Sequence, residues 1–214
     1  MSPVQAEVRD AAIGVGVANT PDALSVIHKP GCAAAIWRRQ VAPDVQAWID
    51  ALAPDDLPGA RLILPASAVP AAVQQLWGGA GQGACPAQVW LEQDIADLAA
   101  RFAALMAAPY LRLRLDVVTT DACRRFHIDA IRARLICTYR GTGTQYGIST
   151  DGAEPARVFT VPTGAPMILR GTLWPEAPAS GLLHRSPPIA GTGETRLVLV
   201  LDPIEDPTEE KTHH

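Results

Sequence analysis

The hydrophobic period of this chain changes at residue 110, and that change decides what it can fold into. Between Leu91 and Ala107 the apolar residues Leu91, Ile95, Leu98, Phe102, Leu105 and Met106 recur at helical spacing, and Pro109 closes the pattern. From Tyr110 the period is two: Leu111, Leu113, Leu115 and Val117 alternate with Arg112, Arg114 and Asp116. Further strands are expected over Phe126 to Tyr139, Ala156 to Val161, Pro166 to Gly171 and Thr195 to Leu201, punctuated by Gly, Pro and Asp clusters. Short strands following helices predict an α+β chain: a jelly-roll or cupin-like double-stranded β-helix over 110–202, helices and short strands of 1–109 packed outside it, and an acidic tail over 203–214, together one compact domain.

The first half is read more coarsely. Ala23 to Arg39 suggests two short strands broken at Lys29-Pro30-Gly31, Pro43 to Leu52 a helix, and Arg61 to Leu64 a strand. Ser67 to Trp77 reads as a helix capped by Ser67 and ended by Gly78 and Gly79, and Gly78 to Gly83 reads as a loop. At 214 residues, with 48% apolar and 19% charged residues, the chain can bury a sizeable core. A formal charge of −4 argues against a nucleic-acid binder. No apolar run reaches the roughly 18–20 residues a membrane span needs, and Met1 to Asp10 carries no secretory pattern, so the expectation is a cytoplasmic protein. Cys32, Cys85, Cys123 and Cys137 form no Cys-x-x-Cys pair and read as reduced thiols. Gly14-Val-Gly16 is too short for a dinucleotide turn, and neither a phosphate-binding loop nor a Gly-x-Ser-x-Gly elbow is present.

The chemistry concentrates in His127-Ile-Asp129, His184 and Arg196. On a strand, residues two apart share a face, so His127 and Asp129 would present an imidazole and a carboxylate side by side. A further ligand from His184 would complete the two-His, one-carboxylate set that leaves positions on Fe(II) open. Arg196, twelve residues later, could grip a carboxylate with both prongs of its guanidinium. Tyr139 has the parity of His127 and Asp129 if the strand runs unbroken, which would aim its hydroxyl into the same cavity. Between 101 and 140 there are eight arginines against three aspartates, an excess that favours anionic ligands. The competing reading puts Arg112, Arg114, Arg132 and Arg134 on a solvated outer face.

His-x-Asp, a distal His and an Arg ten to twelve residues on resemble the Fe(II)/2-oxoglutarate-dependent dioxygenases, as does the turn and apolar strand of Val161 to Gly171. That resemblance implies metal ligation by His127, Asp129 and His184, and a hold on the far carboxylate of 2-oxoglutarate by Arg196, assisted by Tyr139. More closely, Phe126-His-Ile-Asp129, Thr138-Tyr-Arg-Gly141 and Leu183-His-Arg-Ser-Pro-Pro188 resemble an uncharacterised bacterial domain family, some of whose members are encoded near zinc-handling GTPases. The expected function is an oxygenase acting on a small-molecule or peptide substrate, with an anionic one favoured. The alternative is a non-catalytic zinc-binding protein of zinc homeostasis, with Zn in the same barrel site and Cys123 as an extra ligand. Neither nucleic acid nor membrane is expected as a partner, and a homodimer stays open.

Overall fold

A computed structural model describes residues 11–77 and 85–208. Gly78 to Gly83, Met1 to Asp10 and the last six residues of the tail lie outside the described residues. In chain order the elements are β1 (Gly14–Ala18), a 3-10 helix (Pro21–His28), β2 (Cys32–Trp37), α1 (Pro43–Ala51), β3 (Ala60–Leu64), α2 (Val69–Gln75), α3 (Pro86–Met106), β4 (Tyr110–Val118), β5 (Ala133–Arg140), β6 (Gln145–Ile148), β7 (Phe159–Thr160), β8 (Met167–Arg170), β9 (Leu182–Arg185) and β10 (Arg196–Ile204). Seven strands form one sheet in the order β1-β2-β8-β5-β10-β4-β3, and three form a smaller sheet, β7-β6-β9. Among the named strands all pairings are antiparallel except β1 with β2.

The period-two pattern positions the large sheet. Leu111, Leu113 and Leu115 of β4, Leu135, Cys137 and Tyr139 of β5, and Leu197, Leu199 and Leu201 of β10 all face one side, each at most 1% exposed. They pack on Leu91, Ile95, Leu98 and Phe102 of α3. Full burial of side chains of this size stabilises by about 1.5–3 kcal/mol each, so this ladder is the main core. Its polar seam is closed: Arg39 holds both carboxylate oxygens of Asp94 on α3 at 2.5 and 2.6 Å, and the Tyr139 hydroxyl donates to Asp94 at 2.6 Å. On the other side, Ile136, Val198, Val200, Met167 and Leu169 meet Leu182 of β9, with Tyr146 and Ile148 of β6 packed against them, so the small sheet covers part of the large sheet's inner face.

Four expectations are revised. Residues 1–109 do not merely pack outside: β2 pairs with β8 and β3 with β4, so the early strands complete the same sheet at both edges. Pro21–His28 is a 3-10 helix rather than a strand, since Leu24 and Ile27, three apart, are both buried on one side of it. Ser67 caps nothing; it lies in a 3-10 turn, Ala66–Ala68, that leads into α2, whose first turn takes Pro70. The strand expected from Phe126 begins only at Ala133.

Candidate metal centre

Residues 126–132 cross from the small sheet to the large one, and His127 makes one isolated bridge with His184 on β9. Each backbone N–H donates to the other's carbonyl, at 3.1 and 3.0 Å, which sets the imidazole centroids 4.5 Å apart. Asp129 is fixed by its own backbone: Thr172 N–H donates to its carbonyl at 2.9 Å, and Gly171 N–H to Arg132 at 3.0 Å. Glycine is required at 171, because a Cβ there would lie 1.9 Å from the Ile131 carbonyl oxygen and 2.8 Å from that of Asp129.

The three side chains converge. His184 Nε2 lies 3.1 Å from Asp129 Oδ2, His127 Nε2 lies 3.5 Å from Asp129 Oδ1, and the three donor atoms fall within 4.8 Å of one another. His127 Nδ1 is 2.8 Å from the Arg125 carbonyl and donates to it, leaving the Nε2 lone pair aimed at the cluster. Two donors bound to one ion at about 2.1 Å and at right angles stand about 3 Å apart, close to these spacings. Asp129 Oδ2 is buried without an aligned hydrogen-bond donor, although Arg134 comes within 2.7 Å. Burial alone would raise the Asp129 carboxyl, but His184, Arg134 and His127 outweigh it and hold it at about 2. Burial pushes the His184 imidazole down, toward the neutral form a metal needs, against the pull of Asp129. A carboxylate whose two oxygens each face an imidazole nitrogen is a donor set that fits a divalent cation.

Arg196 opens β10 on the same inner face. It is 1% exposed, donates through Nε to the Thr142 carbonyl at 2.7 Å, and lies 3.5 Å from Thr138 Oγ1. Among the described residues no carboxylate pairs with it: its neighbour Glu194 is taken by the backbone N–H and hydroxyl of Thr142, at 2.6 and 3.0 Å. Burial lowers the guanidinium to about 10, only partly offset by Glu194, so it stays charged at neutral pH. The close approach of Thr142 depends on Gly141, at φ +77°, where a Cβ would sit 2.9 Å from the Arg196 Cγ. Arg196, His127, Asp129 and His184 line one cavity of about 160 Å³.

Tyr139 is a correction. It faces α3, fully buried, with its hydroxyl on Asp94 and its ring edge-on to Trp90, while Arg134, Ile136 and Thr138 hold the inner positions of β5. The parity argument fails because 126–132 is not strand, so the count does not carry from His127 to Tyr139. Cys123 lines the cavity but stands outside the three-donor cluster. Asp202, 1% exposed on β10, accepts two hydrogen bonds from Arg134, at 2.6 and 2.8 Å. Arg114 and Arg134, read as outer-face residues, line the cavity. Their alternation with leucines was a signal for a shared face, without saying which.

Fold and site together define a mixed α+β protein with a candidate two-His, one-carboxylate metal centre between two sheets. The chain belongs to the family described as Protein of unknown function (DUF1826), whose profile matches residues 18–202. No match was found among curated proteins. Among solved structures it is similar to a dioxygenase for auxin oxidation from rice, at 15% identity over 80% of this chain and 73% of that one, with a TM-score of 0.47. A putative oxygenase from Shewanella oneidensis gives 13% identity over 91% of each chain and a TM-score of 0.44. A Pseudomonas putida prolyl-4-hydroxylase gives 14% identity over 79% of this chain and 98% of that one, at 0.34. Identities this low transfer no residue's role. No helix among the described residues is long and apolar enough to cross a membrane.

Proposed function

We propose that this chain is a non-haem Fe(II)/2-oxoglutarate-dependent oxygenase whose two sheets form a double-stranded β-helix. One observation carries the reading: three converging metal donors and a buried guanidinium with no carboxylate of its own share one cavity. His127, Asp129 and His184 would hold the iron, and Arg196 the far carboxylate of 2-oxoglutarate. When bound, iron and cosubstrate couple oxidative decarboxylation of the 2-oxo acid to oxidation of a C–H bond by O2. The chain orients and encloses. Thr142 fixes the Arg196 fork through its carbonyl, Thr138 stands beside it, and Val198, Val200 and Ile136 keep the floor apolar, where a charge-assisted pair is strongest.

The test is an anaerobic titration of metal-free protein with Fe(II) and then 2-oxoglutarate, following the visible charge-transfer band of a chelated 2-oxo acid. The band is expected in the wild type, and Arg196→Ala is expected to weaken 2-oxoglutarate binding by about tenfold or more while iron affinity holds. No band, together with tight zinc retention, would sink the oxygenase reading in favour of a zinc-binding protein.

A further inference from the structure

The inner face of the large sheet carries more positive charge than the metal centre and its cosubstrate use. Four arginines line the cavity: Arg114, Arg134, Arg185 and Arg196. Arg134 is engaged twice, by both oxygens of Asp202 and by Asp129 at 2.7 Å. Arg185 donates to Gln145 at 2.8 Å and lies over the Phe126 ring at 4.4 Å. Arg196 is the partner of the cosubstrate in the oxygenase reading. Arg114 is left over: its nearest carboxylate oxygens, on Asp116 and Asp202, are each 3.9 Å away, and its Nε is buried with no hydrogen-bond partner. Asp202 cannot serve it better, since it already holds Arg134 and stands 3.5 Å from Arg112. Directly across the β3–β4 pairing sits Arg61, exposed and on the same face, so two guanidinium groups stand side by side.

Like charges opposed across a sheet, one of them half-buried with an unfilled donor, are destabilising until an anion enters between them. We propose that Arg114, with Arg61 opposite it on β3, anchors a carboxylate or phosphate group of the substrate. The word substrate rests on the oxygenase reading; the anion site does not. Arg114 reaches the metal centre through a continuous run of contacts, Asp202 to Arg134 to Asp129. An anion held at Arg114 therefore shares its cavity with the metal, and the substrate class is a small anionic molecule or the anionic end of a larger one.

The test follows the side-chain Nε–Hε resonances of 15N-arginine-labelled full chain, with and without Zn(II), during titration with inorganic phosphate and separately with succinate. The Arg114 resonance, identified by its loss in Arg114→Gln, is expected to move saturably. Arg114→Gln should weaken the anion's binding by about tenfold or more. Arg61→Gln, which relieves the like-charge opposition and so should not lower the anion-free unfolding temperature, should weaken it by about two- to threefold. Whichever anion binds tighter names the group. Shifts confined to Arg196, or wild-type affinity in both variants, would overturn the anchor. Failure of the oxygenase reading shows elsewhere, as a missing 2-oxoglutarate band, and does not alter what phosphate or succinate does at Arg114.

Discussion

The two faces of the large sheet are made by alternate residues of the same strands, yet they solve opposite problems. On the helix side, β4, β5 and β10 present leucines with Cys137 and Tyr139, and the polar groups there, Arg39, Asp94 and the Tyr139 hydroxyl, satisfy one another. On the inner side the same strands bury Arg196 and Asp202 and half-bury Arg114 and Arg134, leaving one guanidinium Nε and one carboxylate oxygen of the adjoining loop without aligned partners. Incompletely paired charge is costly to bury and is tolerated where the rest of the fold supplies stability in excess. Stability therefore resides mainly on one face and chemistry on the other, within a single sheet.

The largest effects test that separation directly. Leu199→Ala removes a fully buried side chain facing α3 and is expected to cost about 2–5 kcal/mol, read by urea unfolding, while the folded protein binds metal as before. Asp129→Ala should lower metal affinity by more than about a hundredfold in a titration, while costing the folded protein only the carboxylate's own ion pairs and none of the apolar core. Loss of metal affinity in Leu199→Ala at native stability would show that the faces are not independent.

A second, smaller effect belongs to the inner face alone and appears in acid. Asp129 is held at about 2 against an ordinary 3.8, so the folded form disfavours its protonation. The stability it contributes is fully present above pH 3.8 and is lost as pH falls toward 2. His184, also lowered, acts in the same direction one step earlier, its share being lost as pH falls below 6.5. Metal-free protein should weaken in two stages on acidification, and Asp129→Asn should flatten the lower one. Helix-side Cys137 and Tyr139 are both pushed up and stay neutral throughout that range, so Leu199→Ala should leave the acid slope unchanged.

How far the sequence could be read follows from the same two faces. The helix at 86–106 and the leucine ladders were legible because periodicity is local, and His127, Asp129, His184 and Arg196 were legible because their order and spacing are. Which way Arg112, Arg114 and Arg134 point was not, since alternation gives a shared face but not the layer that covers it. The short strands β6 and β9 were hidden among Gly143, Gly147, Gly181 and neighbouring Thr and Ser, where only pairing with each other defines them. Tyr139 was misplaced for the related reason that parity survives only along unbroken strand. Tyr139→Phe should therefore cost about 1 kcal/mol, the hydroxyl's bond to Asp94, and leave 2-oxoglutarate binding unchanged.

The smallest effect uses cysteines as reporters of the two faces. Cys137 is fully buried under α3, and burial, reinforced by Asp94, pushes its thiol up to about 12, so at pH 8 it offers neither access nor thiolate. Cys123 is exposed at the cavity lining, beside the strand that carries His184. A maleimide reagent at pH 8 should label Cys123 promptly in the native protein and Cys137 only after unfolding, by mass spectrometry of the digested chain. Because Cys123 borders the cavity without joining the donor cluster, filling that cavity should slow its labelling by no more than about twofold through crowding alone. Complete protection by Zn(II) would instead make its sulfur a ligand and close the coordination sphere. Native-state labelling of Cys137 would break the contrast from the other side, since a helix face open to reagent could not be the sealed core that supports the charges opposite.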